Sequence, residues 1–213
     1  LTISGNDVAL HIGSGADLQA ALTLSGTNSH VVCENGVDMI QLTISGDNGF
    51  FDGGGHDTLI DATTTGQAIT VGGDDVTVQN IKAQNTSSAG TNTCVYVSGD
   101  RVILLNIRVV QADHDGIILG GDDGQAIGCK VDDADRQDYS ISGPRSSLIG
   151  CSGGGGSEFV EIYAAGDDSI ISGCVAVNAA STIIIHADAE NCVVVGNRCK
   201  AITDNSGTST VAS

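Results

Sequence analysis

The chain has 213 residues, with one Pro, 30 Gly and 40% hydrophobic residues, enough for one domain with a sizeable core. Aromatics make up only 3%, so the core is built from small aliphatic side chains, which suits a narrow, repeating interior. The formal net charge of −18, from 26 acidic and 8 basic residues, argues against a nucleic-acid partner, because neutralising phosphates needs Lys and Arg; membrane insertion is excluded because no run approaches the roughly 18 apolar residues of a span.

In chain order, the opening LTISGNDVAL has neither the basic nor the apolar region of a signal peptide, and the start at Leu1 reads as a mature product or a piece of a longer protein. LTISG at Leu1–Gly5 returns at Leu42–Gly46, with LTLSG between them at Leu22–Gly26. Related strand-and-turn endings close at Gly73, Gly99, Gly121, Gly143 and Gly166, and the variant IIIHADA closes the last at Ala189. Self-similarity at about 20–27 residues is the mark of a stacked repeat. It predicts an all-β fold, a single-stranded right-handed parallel β-helix (solenoid) of about nine coils with three short strands per coil. Residues 1–213 form one domain. Residues 1–26 are a poorly fitting first coil, in which Gly15–Leu22 reads as a short N-terminal capping helix over an otherwise open edge.

The first strand of each coil lies before the Gly ending. Its inward pairs are predicted to be Leu22/Leu24, Leu42/Ile44, Ile69/Val71, Val95/Val97, Ile117/Leu119, Tyr139/Ile141 and Ile162/Ala164. The second strand carries an apolar residue at the fifth coil position throughout, from Leu10 and Val31 to Ile171 and Val194. Asn80, Asn106, Gly128, Gly150, Gly173 and Gly196 then predict a left-handed bend before the third strand. The next position holds Ile81, Ile107, Cys129, Cys151 and Cys174, where Ile and Cys exchange as buried hydrophobes. Asp75, Arg101, Asp123, Arg145 and Asp168 recur at the second position with alternating sign, as residues stacked about 4.8 Å apart should.

The seven Cys follow the repeat rather than a disulfide or zinc framework. They read as free thiols, implying folding in a reducing cytoplasm without disulfides even if the protein works on a virion or extracellular surface. No cofactor is expected. The Asp-rich turns offer oxygen ligands for Ca²⁺, but the Arg column already neutralises them.

DNGFFDGGG at Asp47–Gly55, DDVTVQNIKAQN at Asp74–Asn85 and GDRVILLNIRVV at Gly99–Val110 resemble the pectate-lyase-like right-handed β-helix superfamily. That superfamily includes polysaccharide lyases, polygalacturonases, alginate epimerases and bacteriophage tailspikes. The resemblance implies the fold and a carbohydrate ligand; fold alone does not imply activity. The chain departs from the enzymes: it has no Gly-His-Gly, no Arg-Ile-Lys and no Trp, and Asp122-Asp123 matches the Asp-Asp element only in letters.

The outward column of strand one, the sugar groove of many such solenoids, is predicted to present Tyr96, Tyr163 and His186 for stacking on a glycan. One step earlier stand Asp138 and Glu161, expected about 5 Å apart on adjacent coils, as a retaining glycosidase would require. Asp115 and His114 lie beside them as further catalytic candidates, against the plain alternative of solvated carboxylates. Lys82, Arg108, Lys130 and Arg198 form a basic column on strand three, suited to an acidic glycan or to pairing with Asp132. The outward positions of strand two, Ile103, Leu105, Ile127, Ile149, Ile170, Val193 and Val195, read as an apolar interface stripe. Together these predict a tailspike-like or tail-fibre-like β-helix, a homotrimer that recognises a host surface polysaccharide. The alternatives are a polysaccharide hydrolase, lyase or epimerase and a purely structural solenoid.

Overall fold

Alternating Leu, Ile and Val leave each short strand with one face that must be buried, and stacking successive coils buries it continuously. The computed structural model describes residues 1–62, 66–85, 92–163, 165–178 and 182–212. It is a parallel β-solenoid of about nine turns, consistent with the right-handed β-helix expected. One sheet stacks the ten first strands, from Thr2–Ile3 through Ala21–Leu24 and Gln41–Ile44 to Ala201–Asp204. The other stacks ten second strands, from Ala9–Ile12 to Thr210–Ala212, with the short third strands attached to it. In Thr77–Asn85 and Ile103–Gln111 the second and third strands run together through the bend.

The interior is a column of small aliphatics. Leu22, Leu42, Ile69, Val95, Ile117 and Tyr139 lie in register and are fully buried, as are Val31, Phe51, Val78, Leu104, Ala126, Leu148, Ile171 and Val194 on the second strand. The bend residues Asn80, Asn106, Gly128, Gly150, Gly173 and Gly196 all have positive φ, between 52° and 64°. All seven Cys are unpaired thiols, six of them buried. Burial, then the nearby Asp52, pushes the Cys33 thiol up to about 12, so it stays protonated and apolar in character.

Two stacks at the first turn hold the coils together. The ending glycines form a ladder: a Cβ on Gly121 would lie 2.0 Å from the Gly99 carbonyl oxygen, and one on Gly143 would lie 1.9 Å from that of Gly121. No other residue lets the coils approach so closely. The charge column is also a left-handed column, with Asp75, Arg101, Asp123, Arg145 and Asp168 all at φ 55–57°. Arg101 Nε and Nη2 each donate to Asp75 at 2.7 Å, and Arg145 Nε donates to Asp123 at 2.8 Å. One residue earlier, the Asp47 carboxylate accepts the Asp74 backbone N–H, Asp74 that of Asp100, and Asp100 that of Asp122. Asp is abundant here because each turn needs a carboxylate to satisfy the next turn's N–H.

Two expectations are corrected. Gly15–Leu22 contains no helix: Asp17 bridges in parallel to Asp38, and Ala21–Leu24 is already a first strand in register with Gln41–Ile44. The alternation therefore outweighs the helical spacing. In the seventh coil the inward pair is Val160/Ile162, with Val160 opposite Tyr139 and Ile162 opposite Ile141; Ala164 lies outside the described residues. The cause is the turn. Left-handed Arg145 follows Ile141 by four positions, but Asp168 follows Ile162 by six and Asn191 follows Ile185 by six. Counting back from Gly166 thus misplaces the strand by two residues.

Candidate functional site

The two widened turns, in the seventh and eighth coils, give Tyr163 and His186 their positions. Each lies just past its first strand, Glu158–Ile162 or Thr182–Ile185, and not within the outward column. That column runs Thr70, Tyr96, Ile118, Ser140, Glu161, Ile184. The Tyr163 and His186 rings stack on each other, with centroids 4.8 Å apart and planes at 12°. Stacking at one-coil spacing is what the repeat imposes on equivalent residues of adjacent coils.

Around this pair the chain gathers a polar network over four successive coils. Glu161, whose side chain is 12% exposed, contacts His186 Nε2 through one oxygen and accepts from the Tyr163 hydroxyl at 2.8 Å through the other. Gln137 Nε2 donates to the Tyr163 oxygen at 2.9 Å. Burial, and then the hydrogen bond to Glu161, push the Tyr163 phenol up to about 12, so it remains a donor at neutral pH. Beside Gln137, Arg136 donates from Nε to Asp115 Oδ1 at 2.8 Å and from Nη2 to Oδ2 at 2.5 Å. His114 Nδ1 lies 3.1 Å from the same Asp115 oxygen. Asp115 is only 1% exposed, and the bidentate pair fixes it and holds the Arg136 guanidinium above its ordinary pKa.

The structure thus brings together four predicted catalytic or glycan-binding candidates, Asp115, Glu161, Tyr163 and His186, with His114 at the edge. Arg136 and Gln137, which join the halves of the network, were missed by the sequence reading. The signal was the opposite-charge stacking rule already applied to the Arg101 column: the Arg136 N–H bonds to the His114 carbonyl, which places Arg136 over Asp115. Tyr96 stays apart, three coils from Glu161 along the outward column, about 14 Å by strand spacing.

The expected Asp138–Glu161 pair does not form. Glu161 is opposite Ser140 in register, whereas Asp138 is fully buried. Asp138 is the second residue of the strand Gln137–Ile141, all five residues of which are buried, and its carboxylate turns into space left by Gly153; a Cβ there would lie 2.5 Å from Asp138 Oδ2. Its Oδ1 accepts the Gly156 N–H at 3.0 Å, and its Oδ2 has no partner among the described residues. Burial pushes this carboxyl up to about 7. A two-carboxylate hydrolytic geometry at Asp138 and Glu161 is therefore absent.

On strand three a single carboxylate, Asp132, pairs with two members of the basic column. Lys82, Arg108 and Lys130 stack in register, and Asp132 contacts Lys130 Nζ at 2.5 Å and accepts from Arg108 Nε at 2.6 Å. Ser152 and Val175 separate Arg198 from them. Among the described residues no group of three or more His, Cys, Asp or Glu side chains is gathered to hold a metal ion.

On the second sheet, the predicted stripe faces outward and alternates with the buried set. Leu105, Ile127 and Ile149 stack directly, and Ile170 stacks on Val193. Gln125, Ser147 and Ser172 interrupt the two columns, so the stripe steps from one to the other. Ile149, Ile170 and Val195 are 42%, 43% and 40% exposed; Ile103, opposite Gln125, is half-buried. Comparison of the chain with protein-family models, with curated proteins and with solved structures found no match.

Proposed function

We propose that this chain is a surface-appendage β-solenoid of the tailspike or tail-fibre kind, in the pectate-lyase-like superfamily, that recognises a host surface polysaccharide. The observation that carries the reading is the Asp115–Arg136–Gln137–Tyr163–Glu161–His186 network. It joins a stacked aromatic pair, just past the first strands of the seventh and eighth coils, to fixed hydrogen-bonding groups on neighbouring coils. Sugar recognition uses this combination of ring surface and fixed polar groups. The outward apolar stripe supports side-by-side association, with a closed trimer as the arrangement, since monomers rarely leave such a patch open. Seven free thiols support folding in a reducing cytoplasm before work on a virion or cell surface.

An enzyme of the same fold is the second reading, favoured by Glu161 being held between a phenol and an imidazole. One experiment separates the two. Wild type, Tyr163→Phe and Glu161→Gln are tested for binding on a polysaccharide array and for release of reducing ends or unsaturated products. Binding without product, weakened in both variants, is the expected result. Product formation abolished by Glu161→Gln would make the chain an enzyme. No binding and no turnover would leave only a structural solenoid.

A further inference from the structure

Resting on the polysaccharide reading, we propose a second ligand site, on the third-strand face of the sixth to ninth coils, that takes the acidic groups of an anionic polysaccharide. Two adjoining hollows lie there, of about 200 Å³ and about 320 Å³, and both are lined by Val177 and Asn178. Lys130 and Asp132 stand at one end of the resulting trough, Arg198 and Lys200 at the other. The register sets its length: Lys130, Ser152, Val175 and Arg198 stack in order, so the basic ends are three coils apart, about 14 Å. A Cβ on Gly154 would lie 3.1 Å from the Val177 Cβ, so the bare glycine keeps the middle of the trough open. Val177, 68% exposed, offers apolar surface between the two ends.

The distribution of charge identifies the ligand. Of the 8 basic residues in the chain, Lys82, Arg108, Lys130, Arg198 and Lys200 all lie on this face. Asp132 is the one acid among the described residues lining either hollow, and Arg108 and Lys130 share it. Arg198 and Lys200 are exposed and make no ion pair among the described residues. The far end of the same face is acidic: Asp17, Asp38 and Asp61 line a hollow over the first three coils. A polyanion is therefore held at the basic end and repelled from the other. Arg and Lys beside apolar surface suit a carboxylate or sulfate carried on a sugar ring. Single-stranded nucleic acid is the poorer fit, because neither hollow is lined by an aromatic ring on which a base could stack.

The test is titration of the full chain with polygalacturonate for carboxylate, dextran sulfate for sulfate, dextran and mannan as neutral chains, and oligothymidylate as nucleic acid. The expected result is binding of an acidic polysaccharide that weakens as salt rises from about 0.05 to about 0.5 M. Arg198→Ser and Lys200→Ser should each weaken it about fivefold, the upper end for a solvent-exposed ion pair. Lys82→Ser removes the same charge from the same face but lines neither hollow, and should change it little. Equal losses in all three variants, salt-independent binding, or tighter binding of oligothymidylate than of either acidic polysaccharide would overturn the site. Binding of dextran or mannan without either acidic chain would overturn it while leaving the polysaccharide reading intact. No binding to any of the four polysaccharides would overturn both.

Discussion

Asp138 offers the sharpest test of the interior. Its carboxyl is lifted from an ordinary 3.8 to about 7 by burial against Gly153, with Asp133 adding repulsion and the Gly156 N–H opposing it. In the unfolded chain the group ionises near 3.8; in the folded chain it holds its proton until about 7. Between those values unfolding releases a proton, so stability falls as pH rises, and the loss is complete above the folded value. At about 1.4 kcal/mol per pH unit, the displacement amounts to at most roughly 4 kcal/mol. Asp138→Asn resembles the protonated acid in shape and carries no charge at any pH. Urea denaturation of both proteins from about pH 4 to about pH 8 should give similar stabilities at the acid end. The variant should become the more stable by a few kcal/mol at the alkaline end. Taking the difference removes the other carboxylates, such as Asp75 and Asp132, whose lowered pKa values act in the opposite sense. Parallel profiles for the two proteins would refute the burial of this carboxylate.

Further outcomes follow from the stacks. Gly121→Ala, whose Cβ would meet the Gly99 carbonyl, should cost about 2–4 kcal/mol, read as a shift in denaturation midpoint; a neutral effect would mean the coils are not so close. Arg101→Asp places three acids in one column and should lower the melting temperature in low salt, with partial recovery in high salt, while Arg101→Gln is milder. Thiol titration in denaturant should count seven free Cys. Ile127→Asp with Ile149→Asp, on the outward stripe, should give a folded monomer by light scattering; a wild-type monomer at micromolar concentration contradicts the trimer, and an unfolded variant contradicts the outward assignment.

The fold was legible because each column repeats one chemical requirement. Alternating aliphatics, the Asn/Gly bend and the Asp/Arg column each mark a position that the backbone or the neighbouring coil constrains. What the charge column concealed was its left-handed backbone: Arg101 and Arg145 are poor markers of positive φ, and only Asn28, Asn48 and Asn191 in the same column suggest it. The site was legible in residue type but not in register. Two extra residues at each of the turns after Ile162 and Ile185 left Tyr163 and His186 outside the outward column and brought Glu161 and Ile184 into it. Asp138 was misplaced because strict alternation of buried and exposed residues fails in the strand Gln137–Ile141, all five residues of which are buried, and Gly153 makes room for the carboxylate. Arg136 escaped notice because it precedes its strand, where no periodicity marks it.

A bound polysaccharide is expected to touch the solenoid at the Tyr163–His186 stack. Hydrogen–deuterium exchange with and without the polysaccharide that binds should show new protection at the first-turn side of the fifth to eighth coils. The peptides would be those holding Asp115, Arg136, Gln137, Tyr163 and His186, with the second-strand stripe unchanged. Protection confined to the face of Ile127, Ile149 and Ile170, or spread evenly along the molecule, would contradict it.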